Sequence, residues 1–383
     1  MIGRRHQVAL ALTALLAVGA ACQNEGHGVA AAPLSAPPAA REFTLAASGD
    51  VVPHASVVER ARFDARGGGY DFRPMFAGAE PALRGADLAL CHLETAVTAD
   101  GTGGTGTGGV LAPPQLADGL AGTGYDGCAT ASEHTLDDGT DGVRRTLAAM
   151  DRVGLRHAGT ARTEGEGRSV TMYQAGPARV AHLSYTYGTG ANGLPPGEPW
   201  AVNVVDAGRM ISDARAARLA GADVVVVSVH WGTAWQDAPD GFQTALAERL
   251  TASRTNGRPD VDLILGTHTH VPQAYQKVNG TWVVYGLGDQ VAGEMYNDRG
   301  VQDSRGNDST LARFTFAPPS RPGTRWRVTR AEYVPQMYDL DAGRVVGLNQ
   351  AIADGAELQG VRDRIRDVVL SRGAAADGLV MGD

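Results

Sequence analysis

Two uninterrupted apolar runs dominate the hydropathy pattern of the chain. DVVVVSVHWG, from Asp223, is a β-branched run that ends on His230 and Trp231, and DLILGTHTHV, from Asp262, ends on His268 and His270. A run of this length without polar alternation predicts a strand buried on both faces. The polar residues at its carboxyl end then stand where α/β sheets gather their chemistry. Between the runs, DAPDGFQTALAERLTASR places Phe242, Leu246 and Leu250 at helical spacing. That is the crossover helix a parallel pair requires.

The same pattern recurs along the chain. Phe43 to Ala47 reads as a short strand, followed by a Gly49-Asp50 turn that presents a carboxylate, with His54 shortly after. In ADLALCHLETAVT an apolar run ends on His92 and Glu94. Next come a helix before Gly122, a strand around Cys128 and the cluster Ser132, Glu133 and His134. A helix from about Asp141 to Val153 follows, with Val143, Leu147 and Met150 on one face. Residues 178–187 predict a further strand, GTGANGLPPGEP a loop at the rim of the site, and Asp206 to Ala220 an amphipathic helix. Beyond His270, TWVVYGLGDQVAG is a strand with a Gly-rich turn carrying Asp289. TLARFTFAP and RWRVTRAEYVPQMY then alternate with a two-residue period, which places a different, antiparallel sheet in the second half. Residues Asn349 to Arg372 read as one helix. The whole predicts two stacked sheets with helices outside.

GTGGTGTGG lacks a following lysine and a strand-to-helix context, so it reads as a flexible surface insertion and not as a phosphate-binding loop. The chain has 383 residues, 43% of them hydrophobic, enough for one large α/β unit. Its formal charge is −8 with no basic stripe, which argues against a nucleic-acid partner.

The first residues read as an address. Arg4 and Arg5 precede VALALTALLAVGAA, too short to span a bilayer but matched to the apolar core of a secretory signal, so residues 1–21 are expected to be a leader and the chain exported. Cys22 follows Gly19, Ala20 and Ala21, which resembles a lipoprotein box with Gly19 in place of the usual leucine. Lipid attachment at Cys22 and simple cleavage both fit. Residues 22–41, rich in Ala, Pro and Gly, read as a disordered tether, leaving 42–383 as the folded unit. Cys91 and Cys128 sit in apolar runs, where buried free thiols are favoured over a disulfide.

Collected by strand end, the candidates are Asp50, Glu94, Glu133, His134, His230, His268 and His270. Carboxylate and imidazole donors without thiolate suit manganese, iron or zinc. The set exceeds the needs of one ion. Two divalent ions sharing a bridging carboxylate would polarise a phosphoryl oxygen and acidify a bound water, with His134 free to protonate the leaving oxygen. His54, His92 and Asp289 are candidates for substrate or supporting contacts.

GDVVPH, DLALCHLET, GYDGCATASEHTLDDGTDGVRRTLAAMDRVGLRHAGT, VVVVSVHWG and LILGTHTHVPQ, in that order, resemble the bacterial capsule-synthesis CapA or PGA-cap family, within the calcineurin-like metallophosphoesterases. The resemblance covers most of residues 43–295. It implies a four-layer α/β/β/α sandwich with a dinuclear site at the strand ends. By motif, Asp50 stands at the first metal-binding aspartate, Glu94 at the glutamate of Asn-Leu-Glu, and Glu133 and His134 at the last two residues of Asn-Asn-His. His230, His268 and His270 keep the family identities. His92 replaces an asparagine, Ser132-Glu133 replaces Asn-Asn, and YGLGD stands for the usual Tyr-Ser-Leu-Gly-Asn. The family is linked to poly-γ-glutamate capsule production and the superfamily to phosphoester hydrolysis. Two expectations follow: a metal-dependent hydrolase of the envelope acting on a phosphoester or polymer bond, or a non-catalytic protein binding an anionic polymer or capsule-assembly proteins. The added charge at Glu133 and the change at His92 favour the second; the intact histidine set favours the first.

Overall fold

The valine run folds as the strand Val224–His230, buried at every residue. Its two faces serve two layers. Val224 and Val226 pack with Leu45, Leu90, Leu263 and Leu265 between the sheets. Val225, Val227 and Val229 pack against Met210, Ala214, Leu246, Ala247 and Leu250 of the helices Ala207–Leu219 and Gly241–Ala252. Burial on both sides is the reason the run contains no alternation, and each buried valine contributes about 1.5–3 kcal/mol.

These strands belong to a computed structural model that describes residues 41–383 apart from 102–103, 107–108 and 322–323. The expected leader and all of the expected tether but Arg41 lie outside the described residues. The second sheet runs, edge to edge, Tyr275–Val278, Thr281–Val284, Leu263–Thr267, Val224–His230, Ala178–Thr186 and Thr171–Ala175. Its four central strands are parallel, and both edges are antiparallel. The first sheet runs Arg344–Gly347, Arg327–Asp339, Asp308–Ala317, Phe43–Val51, Leu88–Leu93, Gly127–Ala129 and Arg156–Ala158. Its outer face carries Val57, Leu116, Leu120, Val143, Leu147 and Met150 from three helices. Helix, sheet, sheet and helix form the four-layer α/β/β/α sandwich.

Several sequence expectations are corrected. The alternating strands near the carboxyl end do not build a sheet of their own: Asp308–Ala317 pairs antiparallel with Phe43–Val51, with Phe316 opposite Phe43. A two-residue period reports that one face is buried, not which strand is the neighbour. Phe242 is 46% exposed, because the capping box of Asp240 and Gln243 starts the helix at Gly241 and turns Gln243 inward instead. There Gln243 Nε2 donates to Gln273 Oε1 at 2.8 Å and to the Tyr285 carbonyl at 3.1 Å. The single carboxyl-terminal helix is two, Leu348–Ala353 and Gln359–Val369, separated by a turn through Gly355 at φ +101°. In the glycine-rich stretch, Gly104–Gly106 and Gly109–Ala112 pair with each other, and the latter also with Ala96–Val97.

Cys91 and Cys128 are opposite one another on adjacent parallel strands and form a disulfide, which corrects the free-thiol expectation. It closes a sequence separation of 37, so replacing both cysteines by alanine is expected to cost about 4 kcal/mol through the entropy of the unfolded chain. Equilibrium urea denaturation of the oxidised protein and the double variant measures it; equal midpoints would refute it.

Between the sheets, His182 is buried and its Nε2 meets Ser228 Oγ at 2.8 Å. Burial, with the nearby His92, lowers it to about 3. The unfolded chain therefore binds more protons between about pH 3 and the ordinary histidine value. Stability from the neutral ring is present above that value and is lost as pH falls toward 3. Replacing His182 by glutamine is expected to flatten this acid limb, as read from denaturation midpoints at a series of pH values.

Candidate metal centre

Asp50 does not sit in a turn, as the Gly49-Asp50 pair suggested; the strand continues to Val51 through an irregular register between Ala47 and Asp50. Gly49 is required for a different reason. A Cβ there would lie 1.7 Å from the Gly288 carbonyl oxygen, so only glycine lets that segment cross close enough to place Asp289 opposite Asp50. His92 is the neighbour of Asp50 on the other side.

His268 and His270 also reach the rim by a route the sequence did not suggest. Both lie beyond the strand Leu263–Thr267, at φ +89° and +58°, so it is left-handed backbone and not strand alternation that aims them. Such residues cost about 1–3 kcal/mol each and persist where the surroundings hold them. Here the His268 amide donates to Asp50 Oδ2 at 2.8 Å.

These elements bring together Asp50, His92, Glu94, Glu133, His230 and His268. His92 Nδ1 meets Asp50 Oδ1 at 2.5 Å, His230 Nε2 lies 3.5 Å from Glu94 Oε1, and His268 Nδ1 lies 3.3 Å from Glu133 Oε1. Two overlapping donor groups result, Asp50–His92–Glu94–His230 and Glu94–Glu133–His230–His268, each with its ligand atoms within 4.8 Å of one another. Asp50 Oδ1, His92 Nδ1, both Glu94 oxygens, His230 Nε2 and His268 Nδ1 are buried without a hydrogen-bond partner. Buried acceptors left in this state are costly, and a cation among them would satisfy them together. The donor set therefore fits divalent metal.

The other candidates stand around this core. His270 is in neither group: its Nδ1 pairs with Asp289 Oδ2 at 3.0 Å, and its ring lies 6.0 Å from that of His268. His134 turns Nε2 toward Glu94 Oε1 at 3.9 Å while Nδ1 bonds Asp137 Oδ2 at 2.7 Å. His54 Nδ1 bonds the Ala292 carbonyl at 2.8 Å, and burial lowers its pKa. His92, expected only as a supporting contact, lies inside the core.

Electrostatics separate the carboxylates. Burial pushes Glu94 well above the usual range, and Asp50, Asp289 and Glu133 push the same way. Asp289 rises to about 6 through burial despite His270, which its charge in turn holds at about 9 against burial. Burial alone would raise Glu133, yet the close approach and charge of His268, with the Tyr187 hydroxyl that donates to it, hold it at about 2. Burial drives His230 well below its ordinary value, so it is a neutral donor.

Sequence reading missed Asp137, Tyr187 and Trp235. Asp137 follows His134 by one helical turn, a spacing that could have flagged it. Tyr187, 4.6 Å from His268 between ring centroids, closes the run predicted as a strand, and Trp235, 5.5 Å from His270, lies in a loop; neither carried a signal, since a single aromatic has no partner until the chain folds.

The model of the bacterial capsule synthesis protein PGA_cap matches residues 44–294. The chain belongs to the PGA_cap family. Similar proteins include one of Mycobacterium tuberculosis named "Probable polyglutamine synthesis accessory protein", 26% identical over 248 residues, covering 61% of this chain and 62% of that protein. Another is the "Capsule biosynthesis protein CapA" of Bacillus anthracis, 28% identical over 188 residues, covering 48% of this chain and 42% of that one. The chain thus spans less than two thirds of the length of these relatives. Among solved structures, the NAD nucleotidase of Haemophilus influenzae superposes with a TM-score of 0.44 at 14% identity, over 90% of this chain and 58% of that one. A likeness at that level says nothing about chemistry. The three positions that the sequence reading set apart from the expected family motifs cluster here: His92 faces Asp50, Glu133 faces His268, and Asp289 faces His270. Each sets one ionisable group against another.

Proposed function

We propose that this protein is a metal-dependent hydrolase of the cell envelope, acting on a phosphoester or envelope-polymer bond in capsule or poly-γ-glutamate biosynthesis. The observation that carries the reading is the pair of donor groups sharing Glu94 and His230. Asp50, Glu94, Glu133, His230 and His268 would hold two divalent ions of manganese, iron or zinc. Such ions polarise the scissile group and lower the pKa of bound water. The protein's own contribution is positional. Asp137 accepts from His134 Nδ1–H, so Nε2 faces the centre and, when protonated, can give its proton to the leaving oxygen. His270 and Asp289 buttress the centre beside His268 and Asp50.

The capsule setting rests on the names of the relatives and on the family. Export, by the leader with or without a lipid on Cys22, is supported by the Cys91–Cys128 disulfide, since such bonds persist in oxidising compartments. Among the described residues no helix is long and apolar enough to cross a membrane.

A second reading, a non-catalytic protein binding an anionic polymer or assembly partners, is favoured by Glu133, which engages His268 and Tyr187 and adds charge to the centre. Metal analysis with phosphomonoesterase and phosphodiesterase screens in manganese separates the two. Two bound ions with turnover support the hydrolase; a chain that holds metal but never turns over supports the binding protein.

A further inference from the structure

His92 is held in one ring orientation. Its Nε2 lies 3.2 Å from the Ala131 carbonyl oxygen, and a carbonyl only accepts, so Nε2 donates there and Nδ1 is the ring nitrogen turned to the centre. Nδ1 meets Asp50 Oδ1 at 2.5 Å. A contact that close requires positive charge with the pair, either a proton on Nδ1 or a cation that both atoms ligate, and the donors gathered around it favour the cation. An imidazole whose far nitrogen donates to a backbone carbonyl is also oriented as ligating histidines are. Both oxygens of Glu94 and Nε2 of His230 complete the set, without hydrogen-bond partners.

The two donor groups differ in access to solvent. Asp50, Glu94 and His230 are 0% exposed and His92 2%. The other group exchanges Asp50 and His92 for Glu133 and His268, whose side chains are 19% and 7% exposed. Closed sites of four protein donors are the mark of structural zinc, whereas a catalytic ion keeps an open position.

We propose that His92 is a direct metal ligand, which makes the inner half of the centre a closed site of two imidazoles and two carboxylates selective for a zinc-like ion. Exchange and substrate contact then fall to the outer half. This rests on the metal-centre reading above and deepens it. The nitrogen donor matters for selectivity, because imidazole suits zinc where an amide or carboxylate oxygen suits manganese and magnesium.

The test uses the full chain, loaded with zinc and dialysed against a weak chelator. Wild type is expected to keep one zinc per chain and lose the second. His92→Asn should lose the retained ion, with zinc affinity down by 10–100-fold or more, while Glu133→Gln should keep it and weaken only the exchangeable one. Melting in EDTA, with His92→Asn close to wild type, shows that the variant folds. Should it not fold, anomalous diffraction at the zinc edge on wild-type crystals decides, the expected result being an ion within about 2.1 Å of His92 Nδ1. Undiminished zinc retention by folded His92→Asn, or an ion out of reach of His92, overturns the ligand role and leaves the two-ion centre standing. A wild-type chain that retains no metal overturns the centre itself.

Discussion

Replacing Glu94 by glutamine is expected to lower metal-dependent kcat/KM by about 10³-fold, and at the same time to make the metal-free protein more stable. The first effect follows because Glu94 stands in both donor groups, so its loss weakens the whole centre. Lewis-acid stabilisation of several kcal/mol, at about 1.4 kcal/mol per tenfold, corresponds to that loss. The second effect follows from burial. Without metal, the Glu94 carboxylate is enclosed beside Asp50 and its pKa stands well above the unfolded value. A group raised in this way contributes stability below its unfolded pKa, which is lost as pH rises through the folded value. Glutamine mimics the protonated state and escapes that loss, so the variant should exceed wild type at pH 7 in EDTA and converge with it toward pH 4. Adding manganese or zinc should reverse the order, because ligand binding stabilises only a fold that can bind. Thermal melts with and without metal across this pH range check both signs. If metal raises the melting temperature of Glu94→Gln as much as that of wild type, Glu94 is not shared between ions.

Replacing His134 by glutamine is expected to reduce kcat by about 10²–10⁴-fold while leaving metal content unchanged. Its Nε2 is 3.9 Å from Glu94, close enough to serve the reacting group yet outside both donor groups. A proton donor matters most when the leaving oxygen is basic. The loss should therefore be large for an alkyl phosphoester and much smaller for a p-nitrophenyl ester, whose leaving group departs without protonation. Asp137→Asn should give a weaker version of the same pattern, since the ring keeps its place but loses the carboxylate that sets its tautomer. An equal loss on both classes of ester would mean that His134 acts in binding and not in proton transfer.

What could be read without coordinates follows a physical division. The Val224–His230 run was legible because burial on both faces leaves an unbroken apolar stretch, and the crossover helix after it and the helix carrying Val143, Leu147 and Met150 because burial of one face imprints a helical period. The residues at strand ends were legible because polar groups there interrupt an apolar run. Illegible were the partners. Nothing in TLARFTFAP says that Phe316 will lie opposite Phe43, and nothing in two cysteines 37 apart says that their strands are neighbours. Pairing of distant strands is a long-range choice that leaves no local pattern.

The same division runs through the site. The amino-acid order by itself determined which chemistry was on offer: carboxylates and imidazoles at successive strand ends, with no thiolate among them. Only the folded chain decided their roles. It drew His92 into the innermost position, tied His270 to Asp289, and turned His134 toward Glu94 with Asp137 behind it. Residue types are a property of the covalent chain. Distance, burial and the left-handed turn at His268 arise only once two sheets have packed, and those quantities determine whether a histidine ligates, buttresses or donates a proton.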